Sequence, residues 1–230
     1  MAKLYENTEK FQLMFENINK FVALNPSLNK DERIILNNGY KNIITNQRRA
    51  WRELIKTETQ ELQSGNNVKS EYAKELRIEV ENEILVAADK VLEMVDKYLL
   101  PNATDVESKV FFYKMKADFL RYKAEVKLGE EYISCYKESA NAYAEGQKIA
   151  ESLPISNTVK LGLALNYSVL MYEVVLNKES AINLAKVAYD EAMKIIDDLD
   201  KTKGKETILL IQLLKENLSL WFNDNEEDNS

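Results

Sequence analysis

Three prolines and six glycines are the only helix-breaking residues in this chain of 230. Proline removes a backbone donor and glycine has the most conformational freedom to lose, so their scarcity leaves long stretches with no reason to stop being helical. Between Asp31 and Gln63 only Gly39 intervenes, and at about 1.5 Å per residue a helix of that extent is roughly 50 Å long, longer than a compact core. From 69 to 98, Ile84, Leu85, Ala88, Val91, Leu92 and Val95 mostly recur at three- and four-residue intervals, which makes the single apolar stripe of an amphipathic helix. Two long helices with a short link are expected to form an antiparallel pair.

Later boundaries carry their own signals. Pro101-Asn102-Ala103 breaks the chain, and Thr104 with Glu107 reads as a capping box opening the next helix. Gly129 ends that helix, and Pro154, Asn177 and the Lys201-Thr202-Lys203-Gly204 turn divide the remainder into helices near 130–152, 158–175, 179–197 and 205–222. The expected fold class is all-α: about nine antiparallel helices in an up-and-down array whose curvature gives a concave face with an amphipathic groove. No sequence repeat of the tetratricopeptide kind accompanies it. A single domain is expected over 1–222, with 223–230 as a disordered acidic tail.

Charge and composition exclude several functions. The formal charge is −7, but the last eight residues hold four of the acids, so the body is close to neutral and lacks the basic excess that drives nucleic-acid binding. There is no histidine, which removes the usual general base and the commonest metal ligand. Neighbouring carboxylates such as Glu130/Glu131 and Asp197/Asp198 read as solvated helix faces. With no catalytic constellation, glycine-rich phosphate loop or metal-ligand spacing, the chain is read as a non-enzyme without cofactor or metal. A single cysteine, Cys135, cannot form an intrachain disulfide and reads as an inert, partly buried thiol. No apolar run approaches the roughly 20 residues that span a bilayer, and MAKLYENTEKFQ lacks an apolar signal region, so a cytoplasmic protein without membrane or nucleic-acid partners is expected.

Residues 107–126, ESKVFFYKMKADFLRYKAEV, set Lys114, Lys116, Arg121 and Tyr122 into an otherwise apolar helix, a pattern suited to a groove that holds an anion. Lys41 and Arg48 are seven apart, so two helical turns put them on one face about 10 Å apart. Arg49 and Arg52 share that basic segment; by themselves such side chains also fit an ordinary solvated face. Asn166, Val169 and Glu173 follow i, i+3, i+7 spacing on one helical face, and Leu210, Leu213, Asn217 and Trp221 recur at three or four beside Leu209.

Taken with YKNIITNQRRAWR at 40–52, GLALNYSVLMYE at 162–173 and QLLKENLSLW at 212–221, the chain resembles the 14-3-3 family of phosphopeptide-binding proteins over most of its length. The resemblance implies that Lys41, Arg48, Arg121 and Tyr122 grip the phosphate of phosphoserine or phosphothreonine in an extended peptide. Guanidinium forks suit phosphate oxygens, the lysine adds a point charge and the phenol donates one more bond. It further implies that Asn166 and Asn217 bond the peptide main chain, and that Val169, Glu173, Leu210, Leu213 and Trp221 form the groove walls. The implied function is a non-enzymatic adaptor that holds or masks phosphorylated clients in signalling. A divergent helical scaffold that binds unphosphorylated peptides through the leucine-rich wall stays open beside it. A helical hydrolase has no activated nucleophile or base to support it.

Departures from the family pattern bear on assembly. Asn37-Asn38-Gly39 replaces a serine-valine pair before Tyr40, Glu216 replaces an aspartate, and Ala50 replaces a serine that regulates dimerisation in relatives, which excludes phosphorylation there. The family's arginine-tyrosine-aspartate-aspartate-methionine run is here Lys10-Phe11-Gln12-Leu13-Met14. The implied dimer seam consists of Lys10, Leu13, Glu79 and Glu83, with Lys10 paired to Glu83 of the partner subunit and an aspartate-lysine pair lost to Leu13 and Glu79. A homodimer with a weakened salt-bridge seam is expected, since rim ion pairs contribute only about 0–1 kcal/mol each; a monomer stays open. Glu226, Glu227 and Asp228 are read as solvated, with a fold-back against the basic groove as the alternative.

Overall fold

The longest helix pair shows how local sequence becomes architecture. The structure, a computed structural model, describes residues 11–198 and 204–228. Helix α1, Phe11–Leu24, precedes α2, Lys30–Gln63, and α3, Asn67–Met94. Asn29 caps α2 reciprocally: its side chain accepts from the Glu32 N–H at 3.0 Å while Glu32 accepts from the Asn29 N–H at 2.8 Å. Gly65, at φ +75°, makes the turn between α2 and α3 in a backbone region that costs glycine nothing. The two helices then run antiparallel, with paired positions falling on one side as they rise on the other. Gln47 meets Glu83, Trp51 donates to Glu81 at 2.9 Å, and Arg77 bridges Glu58 at 2.7 Å and Glu81 at 2.5 Å.

The remaining elements are a π-helical turn Val95–Leu99, α4 at Val106–Glu125, α5 at Gly129–Ala150, α6 at Thr158–Glu173, α7 at Lys178–Met193, a 3₁₀ turn Ile196–Asp198, and α8 at Lys205–Asp228. The fold is all-α, with eight α-helices among the described residues against the expected nine or so. Two boundaries differ from expectation. Helix α4 is capped by Asp105, whose carboxylate accepts from the Ser108 N–H at 2.8 Å. Glu107 accepts instead from Asn157 Nδ2 at 2.7 Å, so no Thr104–Glu107 box forms. Helix α8 is assigned through Asp228, beyond the stop read at 222, and no glycine or proline follows Gly204 to end it sooner.

The backbone contacts cluster into two compact units, one from Met1–Ala103 with Phe119–Cys135 and the other from Thr104–Asp118 with Tyr136–Ser230. In the first, Leu36, Tyr40, Ile44, Ile84, Ala88 and Val91 are buried, and Tyr40 meets Phe119 edge-on at 6.2 Å. The Tyr40 hydroxyl donates to Asn19, and burial pushes its pKa well above the usual phenol range. In the second, Ala181, Ala185 and Ala192 of α7 let that helix lie close against Leu161 and Leu165 of α6 and Ile211, Leu214 and Leu218 of α8. Gly146 marks another close approach: a Cβ there would stand 2.6 Å from Leu163 Cδ1 and 3.2 Å from Tyr113 Cβ. No helix among the described residues is long and apolar enough to cross a membrane.

Candidate functional site

The basic cluster of the first unit is built by α2 and the C-terminal end of α4. Arg48 forks onto Glu125, with Nε to Oε2 at 2.6 Å and Nη2 to Oε1 at 2.5 Å. Arg121 lies on the same helix as Glu125, one turn earlier, and its Nη1 is 3.6 Å from Oε1; Arg52 Nη2 is 3.8 Å from Oε2. Three guanidinium groups thus gather about one carboxylate. Arg48, Arg121 and Glu125 are mostly covered, with side-chain exposures of 14%, 16% and 15%, whereas Arg52 is 61% exposed. Partial burial raises the strength of each charge interaction above that of a surface pair.

Tyr122 anchors the cluster. Its ring is buried, packs edge-on against Phe119 at 5.5 Å, and lies beneath the Arg48 and Arg121 guanidinium carbons at 4.3 and 4.9 Å. Guanidinium groups over an aromatic face are held by cation–π attraction while their edge donors stay available. The structure therefore brings Arg48, Arg121 and Tyr122 together. Lys41 stands exposed on α2, two turns before Arg48, and Arg49 is exposed on the same helix.

The second unit holds the polar and apolar residues of α6 and α8. Asn166 is half-buried and its Nδ2 donates to Asp118 Oδ1 at 2.7 Å. Asp118 also accepts from Lys114 Nζ at 2.7 Å and from the Tyr143 hydroxyl. On α6, Val169 is half-buried and Glu173 exposed. The residues of α8 separate by face: Ile211, Leu214, Leu218 and Trp221 form the buried seam, while Leu209, Leu213 and Leu220 are exposed and Leu210 and Asn217 are half-buried. Trp221 stacks on Tyr172 at 4.5 Å and 10°.

Of the seam residues, Lys10 lies outside the described residues, as does the side chain of Leu13. Glu79 and Glu83 are exposed on α3, and Glu83 accepts from Gln47 Nε2 at 3.1 Å. The side chains of Glu226, Glu227 and Asp228 also lie outside what is described. Sequence reasoning missed Glu125 and Asp118 as site residues. The available signal was that each sits four residues after a basic side chain of α4, Arg121 and Lys114 respectively. Among the described residues no group of three or more acidic or thiol side chains is arranged to hold a metal ion.

The family described as "14-3-3 protein" matches residues 1–222. The chain is 40% identical to 14-3-3-like protein C of Glycine max over 229 residues, covering 99% of this chain and 89% of that protein. It is 41% identical to Checkpoint signal transducer rad25 of Schizosaccharomyces pombe (strain 972 / ATCC 24843) over 231 residues, covering 100% and 86%. Against 14-3-3-like protein GF14 epsilon of Arabidopsis thaliana the identity is 40% over 229 residues, covering 99% and 90%. A family match over nearly the whole chain, together with identity of this level end to end, means that the chain belongs to the 14-3-3 family.

Proposed function

We propose that this chain binds phosphoserine or phosphothreonine motifs of client proteins, with Lys41, Arg48, Arg121 and Tyr122 holding the phosphate. As a 14-3-3 protein it is a non-enzymatic adaptor whose partners are proteins; the phosphate on those partners is the proposal. The observation that carries it is Glu125, an anion already seated where three guanidinium groups converge, with Arg48 offering it a bidentate fork. A phosphate dianion presents more oxygens and more charge than that carboxylate to the same donors.

The same resemblance assigns main-chain contacts to Asn166 and Asn217, and groove walls to Val169, Glu173, Leu210, Leu213 and Trp221. The exposed leucines of α8 support an apolar wall, and an amide reads backbone groups without reading side chains, which suits many clients sharing one modified residue. The chain is proposed to act as one domain over 1–222 in the cytoplasm, holding or masking clients in signalling.

The test is a fluorescence-polarisation titration of an arginine-rich phosphoserine peptide and its unphosphorylated twin. Charge-assisted bonds contribute about 1.5–3 kcal/mol each against about 0.5–1.5 for neutral ones, so the phosphopeptide is expected to bind at least about a hundredfold more tightly. Equal affinities would reject the proposal and select peptide binding through the exposed α8 leucines alone. The ligand's second phosphate ionisation lies near pH ~6, and the protein has no histidine to titrate beside it. Affinity is expected to fall modestly as the pH drops through that value and the dianion becomes a monoanion. An affinity constant across the range would contradict recognition of the dianion.

Members of the family typically dimerise, and a homodimer is proposed here. Tyr72, Leu76, Glu79 and Glu83 follow one face of α3, and the two apolar members are 63% and 52% exposed, an arrangement that supports an apolar seam with acidic flanks. Sedimentation at micromolar concentration should give twice the 26.6 kDa chain mass. A purely monomeric mass would reject the dimer.

A further inference from the structure

A carboxyl group nine-tenths covered and bonded by three donors is an expensive thing to bury unless it organises its neighbours. Asp118 is 6% exposed; its Oδ1 accepts from Asn166 Nδ2 at 2.7 Å and from the Tyr143 hydroxyl, and its Oδ2 accepts from Lys114 Nζ at 2.7 Å. Lys114 supplies the counter-charge, and Tyr143 is itself held by stacking on Tyr167 at 5.5 Å and 18°.

We propose that Asp118 is a positioning residue that commits the Asn166 amide to act as a hydrogen-bond acceptor toward a ligand's main-chain N–H. A side-chain amide offers an acceptor oxygen at one end and two donors at the other, and it can turn either end toward a partner. An ionised carboxylate only accepts, so it takes the NH₂ end and repels the oxygen end. With one Nδ2 hydrogen committed to Asp118, the amide is held with its oxygen end turned away from the carboxylate, and Oδ1 is the acceptor Asn166 offers a ligand. Half-buried Asn166 then accepts at one defined place, and the ligand must present a backbone N–H there. The selectivity this gives is for main chain over side chain, and it excludes proline, which has no N–H, at that one ligand position.

The inference rests on the peptide-binding reading above, and its test separates the two. A phosphoserine peptide, its unphosphorylated twin, and a set in which each flanking main-chain N–H is replaced in turn by an ester oxygen are titrated against the native protein, Asn166→Ala, Asp118→Ala and Tyr143→Phe. In the native protein one ester is expected to cost about three- to tenfold in affinity, the worth of a neutral hydrogen bond. That penalty should vanish in Asn166→Ala and shrink to within about twofold in Asp118→Ala, where the amide is free to turn its donors outward. It should persist in Tyr143→Phe, which loses a bond to the same carboxylate but leaves Asn166 anchored, so a general loss of stability does not mimic the effect. If Asp118→Ala does not fold, Asp118→Asn replaces it, and a reduced penalty is again expected because two amides pair in either sense. An ester penalty in the Asp118 variant equal to the native one overturns the inference. If the native protein prefers the phosphopeptide but no ester penalty depends on Asn166, the inference fails and the phosphopeptide reading stands. If the twins bind equally or neither binds, the reading fails and the inference falls with it.

Discussion

Replacing Arg48 by glutamate is expected to weaken binding of a phosphoserine peptide by about 10²–10⁴-fold while the helices persist. The native side chain makes two short bonds to Glu125, at 2.5 and 2.6 Å, and the same fork is the proposed bidentate partner of the phosphate. Losing two charge-assisted bonds at about 1.5–3 kcal/mol each, with about 1.4 kcal/mol per factor of ten, gives that range. The introduced carboxylate also repels the dianion. Folding should tolerate the change, because Glu125 keeps Arg121 at 3.6 Å and Arg52 at 3.8 Å. Arg48→Lys, which keeps the charge and loses the fork, should fall between the two, about tenfold below native. Polarisation titrations with far-ultraviolet circular dichroism check both parts, and native-like affinity in Arg48→Glu would remove Arg48 from the site.

Trp221→Ala is expected to carry the largest stability loss, about 3–5 kcal/mol, seen as a lowered urea midpoint. The indole is only 6% exposed and stacks on Tyr172, itself 8% exposed, with ring centroids 4.5 Å apart. Removing it opens a void beside Leu218, in the seam that joins α8 to α6 and α7. Trp221→Phe should recover much of the loss by restoring an aromatic face. A loss below about 0.5 kcal/mol, the usual size for a surface change, would mean that the indole serves the ligand and not the core.

The two substitutions also mark what the sequence could and could not convey. Helix positions were readable because breakers are few and caps are local: Asn29 with Glu32 forms its box within four residues. The cap at α4 was misjudged by one residue, since Thr104 and Asp105 are both able cap residues and Glu107 is claimed by Asn157, a partner fifty positions away. The basic cluster was visible in residue type and in the pairing of Arg121 with Tyr122. Its resident anion was not, because the Arg48–Glu125 bond joins residues 77 apart, and the Arg121–Glu125 spacing is indistinguishable from an ordinary helical ion pair. Periodicity likewise put Trp221 in line with Leu210 and Leu213 without revealing that Tyr172 covers it. Spacing along one helix says which residues share a face; what lies over that face is a tertiary fact.

On the proposed reading, the carboxylate of Glu125 also bears on how quickly a bound client is let go. A nest of bare guanidinium groups would cling to any passing anion, sulfate and free phosphate included. On the proposed phosphopeptide reading, a tethered carboxylate would compete with small anions at a high effective concentration, and a phosphate carried on a longer ligand, with contacts of its own beyond the phosphate, would displace it more readily. When such a ligand left, the same oxygens would return to Arg48, and the departing complex would not pass through exposed, uncompensated cations. On that reading the resident charge would lower affinity and raise the rate of exchange, as suits an adaptor whose clients are phosphorylated and dephosphorylated in turn.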